Sequence, residues 1–264
     1  MKISAAVVFR SDKAKEAKEL VEKINEHIEI RQICEARSEK VDEKCDFAII
    51  IGGDGTVLKA VKNLNIPIVG FKAGRIGFLA YYKLEEVDRF LRDLQEGRLV
   101  EEKRWMVKVQ LDGAQFHGVN DIVFHTPSRQ MSEFDVLFDG CSGLSFFADG
   151  ILVSTPTGST AYNLSLGGAI VIPNSDVIQI LPIAPYYLQN RSIIVPSHRK
   201  TFIRTLRECE VLVDGLSVGS TLQIEITKSE RYFTLLRPDY YDFFTVLKEK
   251  VGYGRGVHNE MDNR

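Results

Sequence analysis

A chain of 264 residues can bury a large core, and its length allows one large domain or two smaller ones. Its composition is that of an ordinary globular protein, with 44% hydrophobic and 27% charged residues. The formal net charge of −2 excludes an overall basic surface for nucleic acid or for an anionic membrane, so any anionic ligand must be held by local groups.

Cysteine and histidine give no sign of a metal site or of a disulfide framework. The four cysteines form no Cys-x-x-Cys pair and the five histidines are scattered, so neither set is spaced as metal ligands. We therefore predict free thiols and no metal-ligating residues. The sequence enters a strand pattern without a signal-peptide core, and no apolar stretch approaches the roughly 18 residues that span a bilayer. From this we expect a cytoplasmic protein.

The first hundred residues alternate between short apolar runs, typical of strands, and segments with helical periodicity. Strands are predicted over residues 3–9, 28–33, 45–51 and 67–71, and helices over residues 12–27, 56–64 and 84–95, the last closed by Gly97. This alternation predicts a parallel sheet with helices on its faces. Ligands of such sheets bind beyond the carboxyl ends of the strands, so the loops that follow the third and fourth strands are candidate sites.

The apolar run at residues 49–51 stops abruptly at Gly52-Gly53-Asp54-Gly55, and a helical segment follows. Glycines here can take positive φ and let backbone N–H groups approach a ligand, while the helix amino terminus adds partial positive charge. Phosphate is the ligand that these groups favour. Asp54 would repel it unless a divalent cation or a proton to be abstracted lies between them, which indicates transfer chemistry. The alternative is an Asp-Gly hairpin turn, although no second strand pattern follows.

The loop after the next strand has a similar character. Gly74 and Gly77 are spaced for a second close approach of the backbone, and Lys72 and Arg75 are placed to balance phosphate charge. The alternative for each cation is a solvated loop side chain.

Beyond residue 97 the periodicity changes from helical to alternating. Short apolar runs are broken by the turn dipeptides Asp112-Gly113, Asp139-Gly140 and Asp214-Gly215, as in an antiparallel sandwich or barrel. For Asp214-Gly215, a turn is a stronger interpretation than a functional role. We place a boundary near residues 97–102, which gives an α/β domain over residues 1–100, a β-rich domain over residues 101–236, and a segment over residues 237–264 that returns to helix-compatible residues.

Two polar stretches stand out in the β-rich part. Asn120-Asp121 lies inside the apolar pattern of residues 116–124, where a polar pair needs partners; the alternative is a bulge or a strand end. The Asn120 amide can both donate and accept hydrogen bonds. Residues 154–160 carry an unusual density of hydroxyl side chains, which can cap a helix or bind a ligand.

Four stretches together resemble the NAD kinases. They are Gly52 to Thr56, Gly74 to Leu79, Asn120-Asp121, and Asp149 to Tyr162, in the order and approximate spacing of that family and covering nearly the whole chain. The first stretch alone is shared with a wider superfamily of lipid kinases and phosphofructokinases. The resemblance implies an N-terminal α/β, Rossmann-like domain, a C-terminal antiparallel β-sandwich domain, ligands bound between them, and a C-terminal segment that returns to the first domain.

The activity that the resemblance implies is phosphoryl transfer from ATP to the 2′-hydroxyl of the adenosine ribose of NAD, giving NADP, with Mg²⁺ or another divalent cation. Asp54 is the expected catalytic residue, which orients or deprotonates that hydroxyl, and Lys59 is expected to meet a phosphate. Asp149 matches the acid that contacts the nicotinamide half of NAD, while Phe147 stands where some relatives carry an Arg or Lys. The expected nucleotide-binding residues are Gly52, Gly53, Asp54, Gly55, Thr56, Lys59, Arg75, Phe78, Asn120, Asp121, Asp149, Thr157, Thr160, Ala161, Tyr162, Asn163, Leu164, Ser165 and Ala184.

Two other functions share part of this pattern. A lipid kinase of the wider superfamily would carry residues 52–56 but would not account for Asn120-Asp121 or for residues 160–165, and no basic amphipathic helix is available to bind a membrane. A non-catalytic NAD or NADP sensor would have lost its base, and Asp54 is present. The motifs of P-loop nucleotide triphosphatases and of hydride-transfer dinucleotide sites are both missing from the sequence.

Residues 178–187 form an apolar, proline-broken stretch that cannot be a central strand throughout. Tyr186 and Tyr187 are amphipathic aromatics of the kind enriched in interface cores, and NAD kinases form homodimers or homotetramers. We expect a homo-oligomer with this stretch at a contact surface, and small-molecule partners rather than nucleic acid or membrane.

Overall fold

The computed structural model describes residues 2–36, 41, 44–72, 77–127, 130–141 and 143–254. The chain divides into two compact units, one formed by residues 1–103 and 233–264 and the other by residues 104–232. Among the described residues, no helix is both long enough and apolar enough to cross a membrane.

The first unit is an α/β unit built on a parallel sheet. Its elements are β1 (Ser4–Phe9), α1 (Ala14–Ile24), β2 (Glu29–Glu35), β3 (Phe47–Ile51), α2 (Asp54–Val61), β4 (Ile68–Lys72), β5 (Tyr82–Lys83) and α3 (Val87–Gln95). The strands lie in the order β2-β1-β3-β4 with β5 beside β4, and all of these pairs are parallel. The predicted parallel α/β arrangement is confirmed, with shifts of a few residues at the ends of elements.

Burial explains why the inner strands β1, β3 and β4 read as continuous apolar runs. Ile49, Ile50 and Ile51 are all fully buried, as a strand covered on both faces must be. On one side, Phe90 of α3 meets the rings of Phe71 and Tyr82 edge-on, at centroid distances of 5.2 and 5.4 Å. This packing fixes the sheet, and with it the carboxyl ends of β3 and β4.

The second unit is an antiparallel β unit, in which β6 is the first strand along the chain and β15 is the last. Its elements are β6 (Leu99–Leu111), β7 (Ala114–Gly118), β8 (Asp121–His125), β9 (Ser132–Phe138), β10 (Leu144–Ala148), β11 (Gly150–Ser154), α4 (Tyr162–Ser165), β12 (Val177–Ile183), β13 (Ile193–Pro196), β14 (Thr201–Val213) and β15 (Leu216–Pro238). The predicted β-rich fold class is thus confirmed, and α4 is a single turn. The remaining helix, α5 (Phe243–Val251), belongs to the first unit.

Strand β14 changes partner halfway along its length. Its residues 201–205 pair with β9, its residues 210–213 pair with β8, and the register is irregular between Arg204 and Cys209. Such an irregularity bends a strand. Because of this bend, β14 pairs with two sets of strands that enclose one apolar core. Phe124, Phe134 and Cys209 contribute fully buried side chains to that core.

The three Asp-Gly dipeptides are the hairpin turns that the sequence predicts. Their aspartates have φ of 49°, 53° and 49° at positions 112, 139 and 214, and the following glycines have φ of 78°, 75° and 76°. Positive φ at both central residues is the requirement of the tight turn that matches strand twist.

Asn120-Asp121 does not lie inside one continuous strand. β7 ends at Gly118 and β8 begins at Asp121, so Asn120 occupies the break between them. The backbone N–H groups of Val119 and Asn120 donate to the carboxylate of Asp214 and therefore do not join a strand ladder. The alternative of a strand end, left open by the sequence, is the one the fold adopts.

The apolar stretch at residues 178–187 is a strand only in its first part. β12 pairs with β11 up to Ile183, but its pairing with β13 stops at Ile180, before Pro182. A proline cannot donate to a second partner strand, so the prediction that this stretch is not central throughout is confirmed.

Candidate functional site

The Gly52-Gly53-Asp54-Gly55 segment joins β3 to α2, and the helix begins two residues earlier than predicted. Gly53 caps the helix in an extended conformation (φ −91°), and Asp54 is the first helical residue. These three glycines could take positive φ, but none of them does so. Gly52 is required for space: a Cβ there would lie 2.3 Å from Thr56 Oγ1.

The carboxylate of Asp54 is held by three donors. Oδ2 accepts from the backbone N–H of Phe78 at 3.3 Å and from Lys250 Nζ at 2.5 Å, and Oδ1 accepts from the backbone N–H of Leu79 at 3.2 Å. Gly77 makes this approach feasible, because a Cβ there would lie 2.1 Å from Asp54 Oδ1. The side chain keeps 23% exposure, so a small group can still reach it.

Opposing influences set the charge state of Asp54. Burial disfavours the carboxylate and pushes its pKa upwards, whereas the charge and hydrogen bond of Lys250, then the charge of Lys72, then the Leu79 amide, push the pKa downwards. The net result is a pKa below the usual value of an aspartate. Asp54 is therefore ionised at neutral pH despite being mostly buried.

A cleft of about 430 Å³ opens at the amino terminus of α2. Its basic groups are Arg10, which follows β1, and Lys59, one turn into α2. The full lining is Phe9, Arg10, Ser11, Asp12, Ala36, Gly53, Gly55, Thr56 and Lys59. Arg10 is paired with Asp12 within this lining, so the glycine amides, the helix amino terminus and Lys59 are the groups that suit the cleft to an anionic ligand.

Of the second predicted loop, Arg75 and Gly74 lie outside the described residues. Phe78 is buried, and its ring packs on Phe243 of α5 with 5.8 Å between centroids. Lys250 Nζ lies 4.4 Å from the centroid of the same ring. Within the first unit, Phe78 and Asp54 therefore share one cation supplied by α5.

The second unit carries a cavity of about 590 Å³ with a mixed polar and apolar wall. It brings together Asn120, Asp121, Asp149, Ala161 and Tyr162 of the predicted set. Sequence analysis assigned no ligand role to the other lining residues, which are Val123, His125, Thr126, Ile183, Leu212, Asp214 and Gly215. Such a combination of an apolar floor and a few convergent polar groups is typical of a small-molecule site.

The predicted Asn and Asp residues of this wall lie at strand ends. Asn120 is half-buried in the break between β7 and β8, and Asp121 is buried at the start of β8. Asp149 stands between β10 and β11, where its backbone N–H donates to Ile183 O at 3.0 Å and its carbonyl accepts from Thr126 at 2.9 Å. Phe147, two residues earlier, is exposed and brings no charge.

The remaining predicted residues do not line the cavity. Thr157 is buried and accepts a hydrogen bond from Arg104 at 3.2 Å. The fully buried side chain of Asn163 donates to the carbonyls of Ser159 and Ala169, at 3.2 and 3.1 Å, and so ties its own loop together. The others are Thr160, Leu164, Ser165 and Ala184, the last with φ of 46° just after β12.

Sequence reasoning missed Lys250 and Asp214. The sequence analysis does not single out Lys250, and it interprets Asp214 as a turn residue. Neither carries a local signal for its contacts, which join residues separated by 196 and about 94 positions in the chain. In the part of the chain that the structure describes, no three His, Cys, Asp or Glu side chains are grouped so as to hold a metal ion.

Two protein-family models match the chain. The ATP-NAD kinase N-terminal domain matches residues 3–99, and the ATP-NAD kinase C-terminal domain matches residues 119–237. Among similar proteins, an NAD kinase of Thermotoga petrophila is 44% identical over 255 residues, which cover 96% of this chain and 98% of that protein. An NAD kinase of Sulfurimonas denitrificans is 33% identical over 234 residues, covering 83% and 81%.

Solved structures show the same relationship. An NAD kinase from Archaeoglobus fulgidus in complex with ATP aligns with a TM-score of 0.77 and 25% identity, over 95% of this chain and 98% of that one. The yeast NADH kinase complexed with NADH aligns with a TM-score of 0.81 and 21% identity, over 97% and 89%. At that identity the yeast structure shows a shared fold.

Proposed function

The chain belongs to the NAD kinase family, and we propose that it transfers the terminal phosphoryl group of ATP to the 2′-hydroxyl of the adenosine ribose of NAD, giving NADP. The observation that carries this proposal is the fixed, ionised carboxylate of Asp54 at the amino terminus of α2. A carboxylate so placed accepts the proton of an attacking hydroxyl beside a site for phosphate.

The donor triphosphate would bind in the cleft of the first unit. Gly53 and Gly55 expose their amides there without a side chain, and Lys59 neutralises phosphate charge. The ATP in the structure of the Archaeoglobus fulgidus relative supports a nucleoside triphosphate as donor.

Magnesium would accompany the triphosphate. The described residues offer no cluster of three acidic or imidazole side chains, and the carboxylate of Asp54 is already engaged by Lys250 and two amides. A protein cage for the ion is therefore not part of this proposal, which fits the tendency of Mg²⁺ to keep water and substrate phosphates as ligands. The ion would supply charge neutralisation on the phosphate oxygens.

The acceptor nucleotide would bind in the cavity of the second unit. Asn120 can both donate to and accept from the edge of adenine, Tyr162 offers a ring for stacking, and Asp149 accepts from a hydroxyl or an amide. The apolar residues Val123 and Leu212 form part of the floor.

Asp54 would take the proton during transfer. The 2′-oxygen forms a bond to the γ-phosphorus, the bond from that phosphorus to the β–γ bridging oxygen breaks, ADP leaves, and the hydroxyl proton passes to the Asp54 carboxylate. Positioning and charge neutralisation carry most of such a reaction.

The experiment is NADP formation from NAD and MgATP by purified wild type and by Asp54→Asn. We expect the variant to lose on the order of 100-fold or more in kcat, because an amide cannot accept the proton. The matched control is Asp88→Asn, since Asp88 is an exposed acid in the first turn of α3, and it should leave turnover unchanged. A wild type that makes no NADP would contradict the function, and full turnover by Asp54→Asn would contradict the role of Asp54.

A further inference from the structure

Asp214 opens the Asp-Gly turn between β14 and β15, and its carboxylate reaches the break between β7 and β8. Oδ2 accepts from the backbone N–H of Val119 at 2.9 Å, and Oδ1 accepts from those of Asn120 and Asp121 at 2.7 and 3.2 Å. Three consecutive amides thus converge on one carboxylate. Hydrogen bonds to a charged acceptor are among the stronger ones in proteins.

The rest of the backbone at this break is also engaged. The N–H of Asp214 donates to Asp121 O at 3.0 Å, so the two segments are bonded in both directions. On the opposite side, Thr155 donates its N–H to Asn120 O at 2.9 Å and its hydroxyl to Val119 O at 2.6 Å. Residues 119–121 are consequently clamped between Asp214 and Thr155 at the wall of the 590 Å³ cavity.

Turn geometry does not account for these contacts. The Asp112-Gly113 and Asp139-Gly140 turns have nearly the same backbone angles as Asp214-Gly215. Asp112 is exposed, and Asp139 accepts from the Lys200 amide at 3.0 Å while pairing with Arg199 at the surface. The turn conformation therefore does not require the Asp214 carboxylate to accept from three amides of another segment.

We propose that Asp214 is a positioning residue of the acceptor site, which holds Asn120 and Asp121 in the place from which their side chains meet the adenosine of NAD. This inference rests on the proposed function, in which the cavity of the second unit receives that nucleotide. The carboxylate of Asp214 holds the backbone of residues 119–121 in place. The backbone in turn orients the side chains of Asn120 and Asp121.

The test compares Asp214→Asn with Asp112→Asn. Asparagine tolerates the left-handed conformation, so both turns are kept. At position 214, however, the amide has only one acceptor oxygen and places an NH₂ donor against backbone N–H groups. We expect the KM for NAD to rise about 10-fold to 100-fold in Asp214→Asn, with the KM for ATP within about twofold of wild type. Asp112→Asn should resemble wild type in both constants.

Calorimetric titration of NAD into the same proteins without ATP separates the inference from the proposed function, since it measures affinity without turnover. Weaker NAD binding by Asp214→Asn alone supports the positioning role even in a protein that makes no NADP. If Asp214→Asn does not fold, Asp214→Gly against Asp112→Gly replaces the pair, because glycine also adopts this turn. Unchanged NAD affinity in a folded variant at 214, or an equal loss at 112, would overturn the proposal. A fall in kcat and melting temperature with both KM values intact would overturn it too, since that is the mark of a purely structural residue.

Discussion

Lys250 lies 196 positions after Asp54 in the chain, yet its ammonium group donates to the Asp54 carboxylate. The same group sits over the ring of Phe78, whose backbone amide donates to the same carboxylate. Without this cation, burial would push the pKa of Asp54 upwards with less to oppose it. The C-terminal helix therefore contributes to the charge state of the candidate base.

We predict that Lys250→Met shifts the acid limb of the pH–kcat profile to higher pH. Loss of the cation raises the pKa of Asp54, so a smaller fraction is ionised at any given acidic pH, and turnover falls there first. Lys250→Arg should keep the wild-type limb because it keeps the charge. Lys248→Met, a change at an exposed lysine of the same helix end, is the control. An unshifted limb in Lys250→Met would show that Lys250 does not set the ionisation of Asp54.

The lowered pKa of Asp54 also makes the stability of the fold depend on pH. The folded-state pKa of Asp54 lies below the ordinary value, so its ionised form stabilises the fold above the unfolded pKa of about 3.9. That contribution is lost as the pH falls through the folded-state value.

Helix α5 delivers Lys250, and a single side chain caps the start of that helix. Asp242 accepts from the backbone N–H groups of Phe244 and Thr245 at 3.3 and 2.9 Å, and from the Thr245 hydroxyl at 2.7 Å. Gly252, with φ of 74°, ends the helix. The helix is only nine residues long, so its stability depends on such ends and on the packing of Val246 and Leu247.

We predict that Asp242→Ala frays α5 and lowers kcat although Asp242 is remote from the reacting atoms. Loss of the cap leaves two amides without their acceptor, so the melting temperature should fall by roughly a few degrees. Asp242→Asn and Asp242→Ser retain a capping oxygen and should restore most of both losses. Thermal unfolding and NADP formation, measured on the same preparations, check this. An alanine variant with full turnover would show that Lys250 reaches Asp54 without help from the cap.

At the scale of the molecule, one residue of β10 and two residues that follow β12 form an exposed aromatic cluster. Phe147, Tyr186 and Tyr187 are 43%, 63% and 56% exposed, and Leu188 beside them is 81% exposed. Their rings contact one another, with centroid distances of 6.0 Å from Phe147 to Tyr186 and 5.2 Å from Tyr186 to Tyr187. Contiguous apolar surface of this kind favours a protein contact.

We therefore expect a homodimer or homotetramer that uses this cluster. Sedimentation velocity at micromolar concentration should give a wild-type mass above that of one chain, and Tyr186→Ser with Tyr187→Ser should reduce it. Tyr232→Ser is the matched control, because Tyr232 is a tyrosine of similar exposure on β15. A wild type that sediments as a single chain and is active at that concentration would contradict the expectation.

Local physical preferences made part of this fold predictable from sequence. Buried aliphatic runs with helical segments between them specified the parallel α/β unit, and Asp-Gly pairs specified the three tight turns, because backbone preference and burial period are local properties. The glycines around Asp54 were recognisable for the same reason, although they serve close approach at Gly52 and Gly77 rather than positive φ.

The packing of the elements determines which groups that are distant in the chain come into contact. Lys250 donates to Asp54, and three backbone amides of the β7–β8 break donate to Asp214. The side chain of Asn163 donates to a carbonyl of its own loop. Each of these outcomes is a hydrogen bond whose partner is chosen by how strands and helices pack, and a lysine on a helix or an aspartate in a turn looks the same in sequence whichever partner it finds. The sequence thus determined the elements and the loop that carries Asp54, while the packing of those elements determined the charge and aim of the side chains around it.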